Sequence, residues 1–111
     1  LFRSDDDTTR VSPGKTMATG LNVAGGIGHF RVLEILYESD GHAIAIPEPA
    51  TATALQRTYH EKGWWVCPEG AACLAALDPL LDQGAIHPGD DVVVFNTASL
   101  EKYLPNTRHL L

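Results

Sequence analysis

The chain has 111 residues, 44% of them hydrophobic and 20% charged, with a formal net charge of -6. No apolar run approaches the ~20 residues that a bilayer requires, which excludes membrane spanning, and the negative balance, with Asp5, Asp6 and Asp7 clustered, argues against a nucleic-acid partner. A chain of this length holds at most one domain.

Residues 1–15 are polar and acidic, carry Ser12-Pro13-Gly14 as a turn signal, and read as a flexible N-terminal arm. Thr16 to Val23 mixes β-branched and apolar residues around Gly20 and reads as a short extended segment entering the turn of Gly25, Gly26 and Gly28. From His29 to Ser39 the apolar positions Phe30, Leu33, Leu36 and Tyr37 recur at helical spacing, with Arg31, Glu34 and Glu38 on the other face, so a helix closed by Asp40-Gly41 is expected.

His42 to Ile46 is short, apolar and free of formal charge, the pattern of a strand buried on both faces of a parallel sheet. Pro49 opens a second helix through Lys62, and Gly63 stops it. Trp64-Trp65-Val66 is a second short strand, with one of the two rings expected in the core. Pro68-Glu69-Gly70 leads into the helical run AACLAAL, and Asp78-Pro79 predicts a kink or a fresh helical turn at Pro79, ending at Gln83-Gly84. Asp91 to Phe95 is the strongest strand signal, and Leu100 to Tyr103 a weaker helical stretch. The alternation predicts an α/β fold with short parallel strands, a partial three-layer α/β/α arrangement. Three strands do not cover their own edges, which suggests a piece of a larger domain.

The ends point the same way. The chain begins Leu1-Phe2-Arg3-Ser4, its single methionine is Met17, and no secretory start precedes it, so the expectation is a fragment of a longer, cytoplasmic protein. Cys67 and Cys73 lack CxxC spacing and the histidines lack HxxH spacing, so reduced thiols and no metal site are expected.

Ligands of open parallel sheets gather beyond the carboxyl ends of the strands, which singles out Asn96-Thr97-Ala98-Ser99 and Cys67-Pro68-Glu69-Gly70. On spacing alone both are explained more simply. Thr97 or Ser99 caps a helix, and Glu69 complements a helix dipole. The glycines at 25, 26 and 28 do not form G-x-G-x-x-G, and no nucleophile elbow G-x-S-x-G is present.

Four motifs in order go further. Thr16-Met17-Ala18-Thr19-Gly20-Leu21-Asn22-Val23 looks like TIA-x-G-L-x-V, and Val32 to Leu36 with Glu38-Ser39-Asp40-Gly41 looks like LRALRESGG. Cys67 to Ala72 is similar to SPEGAA, and Val93 to Ser99 followed by Lys102-Tyr103 to VVLFNTGSGLKY. Together they resemble the C-terminal part of the threonine synthases, in the tryptophan-synthase-like branch of pyridoxal-phosphate enzymes, from about Thr16 to Tyr103. The resemblance implies that residues 16–111 are the C-terminal portion of a pyridoxal-phosphate-binding α/β domain of fold type II. It also implies that Thr97 faces the pyridine nitrogen with Ala98 in the same turn, and that Gly20 and Leu21 pack near the cofactor ring. The small-molecule substrate it implies is O-phosphohomoserine, converted to threonine and phosphate, and it leaves a homodimer open.

Ala98 and Leu100 replace two glycines of that family's turn, and Leu100 is expected to be strained if the turn needs a positive φ. Asn22 stands where many members carry arginine. The family's Schiff-base lysine, ring-hydroxyl asparagine and phosphate cradle lie earlier in the polypeptide, and Lys15, Lys62 and Lys102 match no Schiff-base motif. No catalytic residue is therefore expected in these residues, and alone they are expected to be inactive. Two other readings stand beside this one: a related threonine or serine dehydratase, and a non-catalytic α/β module that binds a partner through its sheet edges.

Overall fold

A computed structural model describes residues 12–23 and 28–111. Residues 1–11 of the expected arm, and Gly25 and Gly26 of the glycine turn, lie outside the described residues. Five α-helices follow in order: α1 (His29–Glu38), α2 (Glu48–Lys62), α3 (Pro68–Ala75), α4 (Leu77–Asp82) and α5 (Leu104–Thr107). Short 3-10 turns cover Thr19–Leu21, Leu100–Tyr103 and Arg108–Leu110. Thr16 to Val23 is thus not the extended segment expected, because three of its residues wind into the first of these turns.

The helices match their local signals closely. Pro47 at ψ 146 precedes α2, Pro49 sits in its first turn, and Gly63 ends it at φ 67. Helix α1 ends in a Schellman arrangement in which Gly41 N–H reaches Leu36 O at 2.8 Å and Asp40 N–H reaches Tyr37 O at 3.4 Å. The left-handed residue there is Asp40, at φ 51, rather than Gly41. Since an L side chain in this region costs about 1–2 kcal/mol and glycine loses part of that gain to unfolded-chain entropy, Asp40→Gly is expected to raise stability by about 0.5 kcal/mol, read as an increase in Tm.

The break in the alanine-rich run falls earlier than expected. Helix α3 ends at Ala75 and α4 begins at Leu77, so Pro79 lies inside α4 rather than opening it. The cause is local: Pro79 has no N–H for the carbonyl of Ala75, four residues back, and its ring crowds that carbonyl. A break at Ala76 relieves both problems, and Leu80 N–H resumes the ladder on Ala76 O at 3.0 Å.

The expected parallel sheet is absent among the described residues. Its three strands, 42–46, 64–66 and 91–95, form no ladder, and the single bridge pairs Val66 with Ser99 in antiparallel fashion. A strand needs a neighbour for its N–H and C=O groups, and beyond the short contact of Trp65 and Val66 with Ser99 and Leu100 no described segment supplies one. Three of the four apolar residues of 91–95 are accordingly exposed, among them Val93 at 81% and Phe95 at 79%, while Val94 is half-buried. Both tryptophans are also exposed, contrary to the expectation that one enters the core. Trp65 meets the Tyr59 ring edge-on at 5.7 Å, and Trp64 borders a groove of about 570 Å³ along α2.

The core is small. Leu55 of α2, Ala71 of α3 and Leu100 are fully buried, with Ala54, Tyr59, Val66 and Leu111 packed around them. It lies where α2 packs on α3 and where Leu100 N–H is held by Trp65 O at 3.1 Å. Helix α1 has the expected apolar stripe, but none of its residues is buried among the described residues. No described helix is long and apolar enough to cross a membrane.

Candidate functional site

Beside this core lies an open cleft of about 700 Å³. Its walls include the Thr19–Leu21 turn, the loop after Phe95, and α3 through Glu69, Ala72 and Cys73. His42, Ile44 and Ile46 line it, so every second residue of the first expected strand faces the cleft; from the strand expected at 91–95 Phe95 alone does, followed by Thr97 in the next loop. That alternation is the pleat's period of two, kept without a ladder.

Gly20, Leu21, Thr97 and Ala98, separated by more than seventy residues in sequence, all line this cleft. Thr97 is exposed, and its Oγ1 lies 3.9 Å from Cys67 Sγ, a weak contact that leaves the hydroxyl able to meet another partner. Ala98 is half-buried and Leu21 is 63% exposed. Leu100 does not line the cleft; it is buried in the core and has no positive φ, so its expected strain is absent. Asn22 turns back to donate from Nδ2 to Gly14 O at 3.0 Å.

Asn96, to which spacing gave no separate role, and Glu69, which it explained as a dipole partner, hold the walls together. Asn96 Oδ1 accepts from Cys67 N–H at 2.9 Å, and its Nδ2 donates to Ala98 O at 2.8 Å. The loop carrying Thr97 is thereby fixed to the start of α3. Gly70 allows this approach, since a Cβ there would stand 2.6 Å from Asn96 Oδ1. Glu69 Oε1 accepts from Gly20 N–H at 2.8 Å, tying the first wall to the same helix start. The space a Gly20 Cβ would occupy is held by this carboxylate, 2.8 Å away.

Glu48, in the first turn of α2, plays a parallel part by accepting from Thr16 Oγ1 at 2.8 Å and from Met17 N–H. Both glutamates thus sit in a helix's first turn, where the dipole favours negative charge, and both receive N–H groups from the segment 16–20. A helix-start acid is visible in sequence; a partner 49 residues away is not.

Electrostatically the centre of this arrangement is Glu69. Burial works to raise its pKa, but hydrogen bonds from its own backbone N–H and from Gly20, with the Cys67 thiol and Tyr103 hydroxyl facing it, hold the carboxyl below its ordinary value. Tyr103 is pushed up, first by burial and then by the Glu69 carboxylate and Cys67. The stabilisation from Glu69 is therefore complete above the ordinary carboxylate range and is lost as pH falls through the lowered folded-state value. Cys67 is buried and Cys73 exposed, both free, and Cys67 Sγ caps α3 by accepting from Gly70 N–H at 3.4 Å. Among the described residues no His, Cys, Asp and Glu cluster is placed to hold a metal ion.

Comparison with known proteins agrees with the order of motifs. A threonine synthase of Methanocaldococcus jannaschii is 26% identical over 83 residues, covering 75% of this chain and 20% of that protein. The chain thus spans about a fifth of its relative's length. No solved structure matches. Residues 2–98 match the pyridoxal-phosphate dependent enzyme family, whose members use that cofactor and whose domain is of fold type II. Because that match takes in nearly the whole chain, including Gly20, Leu21, Glu69, Thr97 and Ala98 of the cleft, the chain belongs to the family of pyridoxal-phosphate dependent enzymes.

Proposed function

We propose that the cleft is one side of the cofactor site of a pyridoxal-phosphate carbon–oxygen lyase that converts O-phosphohomoserine to threonine and phosphate. The observation that carries this reading is the meeting of Gly20 and Leu21 with Thr97 and Ala98 across one cleft. The distant likeness to a threonine synthase supports the choice of reaction. On this reading residues 16–111 are the C-terminal portion of the cofactor domain, with its remaining parts outside this sequence.

The residues present fit one edge of a flat heteroaromatic ring. Ala98 keeps its wall low, Leu21 offers an apolar surface beside Gly20, whose missing side chain leaves room for the Glu69 carboxylate, and the Thr97 hydroxyl has only a weak partner. When bound, pyridoxal phosphate supplies an electron sink for elimination and replacement at the β and γ carbons. Thr97 Oγ1 would hold the ring nitrogen through a neutral hydrogen bond, without the added positive charge a carboxylate would stabilise there. Leu21 would offer an apolar contact to the ring face, and Asn96 keeps the Thr97 turn in register with α3. Lys102 also lines the cleft, but its ammonium lies 5.5 Å over the Tyr103 ring, and it is assigned no chemical role.

The test uses the full-length protein with pyridoxal phosphate and O-phosphohomoserine. A visible absorbance band from bound cofactor, with release of phosphate, is expected. Ammonia release from threonine or serine without phosphate release would transfer the protein to the dehydratases, and absence of any cofactor band would leave the interaction-module reading. Thr97→Ala is expected to lower turnover about tenfold, the worth of one hydrogen bond, with Thr97→Ser close to wild type. An unchanged rate in Thr97→Ala would remove Thr97 from the site.

A further inference from the structure

Glu69 carries an oxygen that the cleft does not explain. Oε1 receives Gly20 N–H, whereas Oε2 is closed off from solvent and makes no hydrogen bond of regular geometry. A buried carboxylate oxygen without a donor is costly, so a donor close by is to be expected. An atom with no accessible surface cannot receive a ligand entering the cleft. Its partner must come from the protein; the groups that face the carboxylate are the Cys67 thiol, a weak donor, and the stronger donor, the hydroxyl of Tyr103, a residue only 5% exposed.

We propose that Glu69 is the positioning residue of the cleft: an ionised strut that joins Gly20 on one wall to Tyr103 on the other and acts on a bound ring through those walls without touching it. Gly20 N–H fixes the height of the Thr19–Leu21 turn, and hence of Leu21. Tyr103 ends the Leu100–Tyr103 turn that follows Thr97, and its carbonyl accepts from buried Thr107 Oγ1 at 2.9 Å, so the strut is anchored at its far end. Ionisation matters because charge-assisted hydrogen bonds are roughly twice as strong as neutral ones. Its depressed pKa keeps Glu69 ionised at neutral pH. The other titratable groups on the cleft are His42 before α2, Glu48 at the start of α2, Cys73 on α3 and Lys102 beside Tyr103.

This role rests on the cofactor reading only for its consequence, and two measurements separate them. In full-length protein labelled with 15N-glycine, the Gly20 amide is expected to shift with pH, with a midpoint below the ordinary carboxylate range, and the response is expected to vanish in Glu69→Gln. A Gly20 amide without that response overturns the strut whatever binds in the cleft. In parallel, pyridoxal phosphate affinity, followed by absorbance, is expected to fall about fivefold in Glu69→Gln, with Tyr103→Phe adding little in that background. Wild-type binding with unchanged affinity in Glu69→Gln overturns the positioning role. Failure of the wild type to bind the cofactor counts against the cofactor reading instead, and the Gly20 response then decides the strut.

Discussion

Leu100→Ala is expected to destabilise the full-length protein by about 3 kcal/mol, measured as a fall in the denaturant midpoint at unchanged slope. Leu100 is fully buried against Leu55 and Ala71, in a core with few other members, so the lost methyl groups leave a cavity that little else can fill. The same residue tests a point of backbone chemistry. It stands where the resembling family has glycine, yet the turn it begins follows Ser99 at φ -90 and requires no positive φ. Leu100→Gly should therefore cost more than Leu100→Ala, because glycine adds backbone entropy to the lost packing. A glycine variant more stable than wild type would show that the turn favours a left-handed residue and that the leucine is strained.

Gly70→Ala is the second large effect. Alanine is the better helix former by about 1 kcal/mol, so helix propensity alone predicts a gain. Against that stands a Cβ placed 2.6 Å from Asn96 Oδ1 and 3.6 Å from the Asn96 Cα. The Asn96 amide is held at both ends, by Cys67 N–H and Ala98 O, so it does not swing away freely. Displacing it leaves the buried Cys67 N–H without an acceptor, which costs about 1–3 kcal/mol, and crowding adds about 1–3 kcal/mol more. The loss prevails, and a net destabilisation of about 2 kcal/mol is expected, with weakened ligand binding as the Thr97 loop shifts. A double-mutant cycle isolates the cause: in an Asn96→Ala background the Gly70→Ala change should become neutral or stabilising. An equal cost in both backgrounds would place the clash elsewhere.

These two residues illustrate what sequence carried and what it did not. The helices α1 and α2 were legible because their signals are local: an apolar stripe, a proline in the first turn, a glycine at the end. Strand signals were clear at 42–46 and clearest at 91–95, and alternate residues of the first, with Phe95 of the second, do face the cleft. A ladder, however, depends on a neighbouring edge, and no pattern within 91–95 records whether one is present. The break at Ala76 was misplaced by a few residues because proline acts on a carbonyl four residues before it. At the site, Gly20, Leu21, Thr97 and Ala98 were named through the order of motifs and do line one cleft, while the cross-ties were not legible. Glu69 to Gly20 and Asn96 to Cys67 span 49 and 29 residues, and a glutamate at a helix start looks the same with or without a distant partner.

The exposed apolar residues extend the same logic. Phe30, Val32 and Ile35 on α1, and Val92, Val93 and Phe95 in the unpaired segment, are each about half exposed or more. Exposed apolar patches of this kind mark surfaces that other parts of a protein cover. In a chain that spans a fifth of its relative's length, the cofactor reading assigns their cover to the rest of the cofactor domain.

The most direct test of the account is a structure of the full-length protein with pyridoxal phosphate bound. The ring is expected between Leu21 and Ala98, with Thr97 Oγ1 within about 3 Å of the pyridine nitrogen, a normal hydrogen-bond distance. A cofactor lying outside this cleft, for instance in the groove beside Trp64, would contradict it.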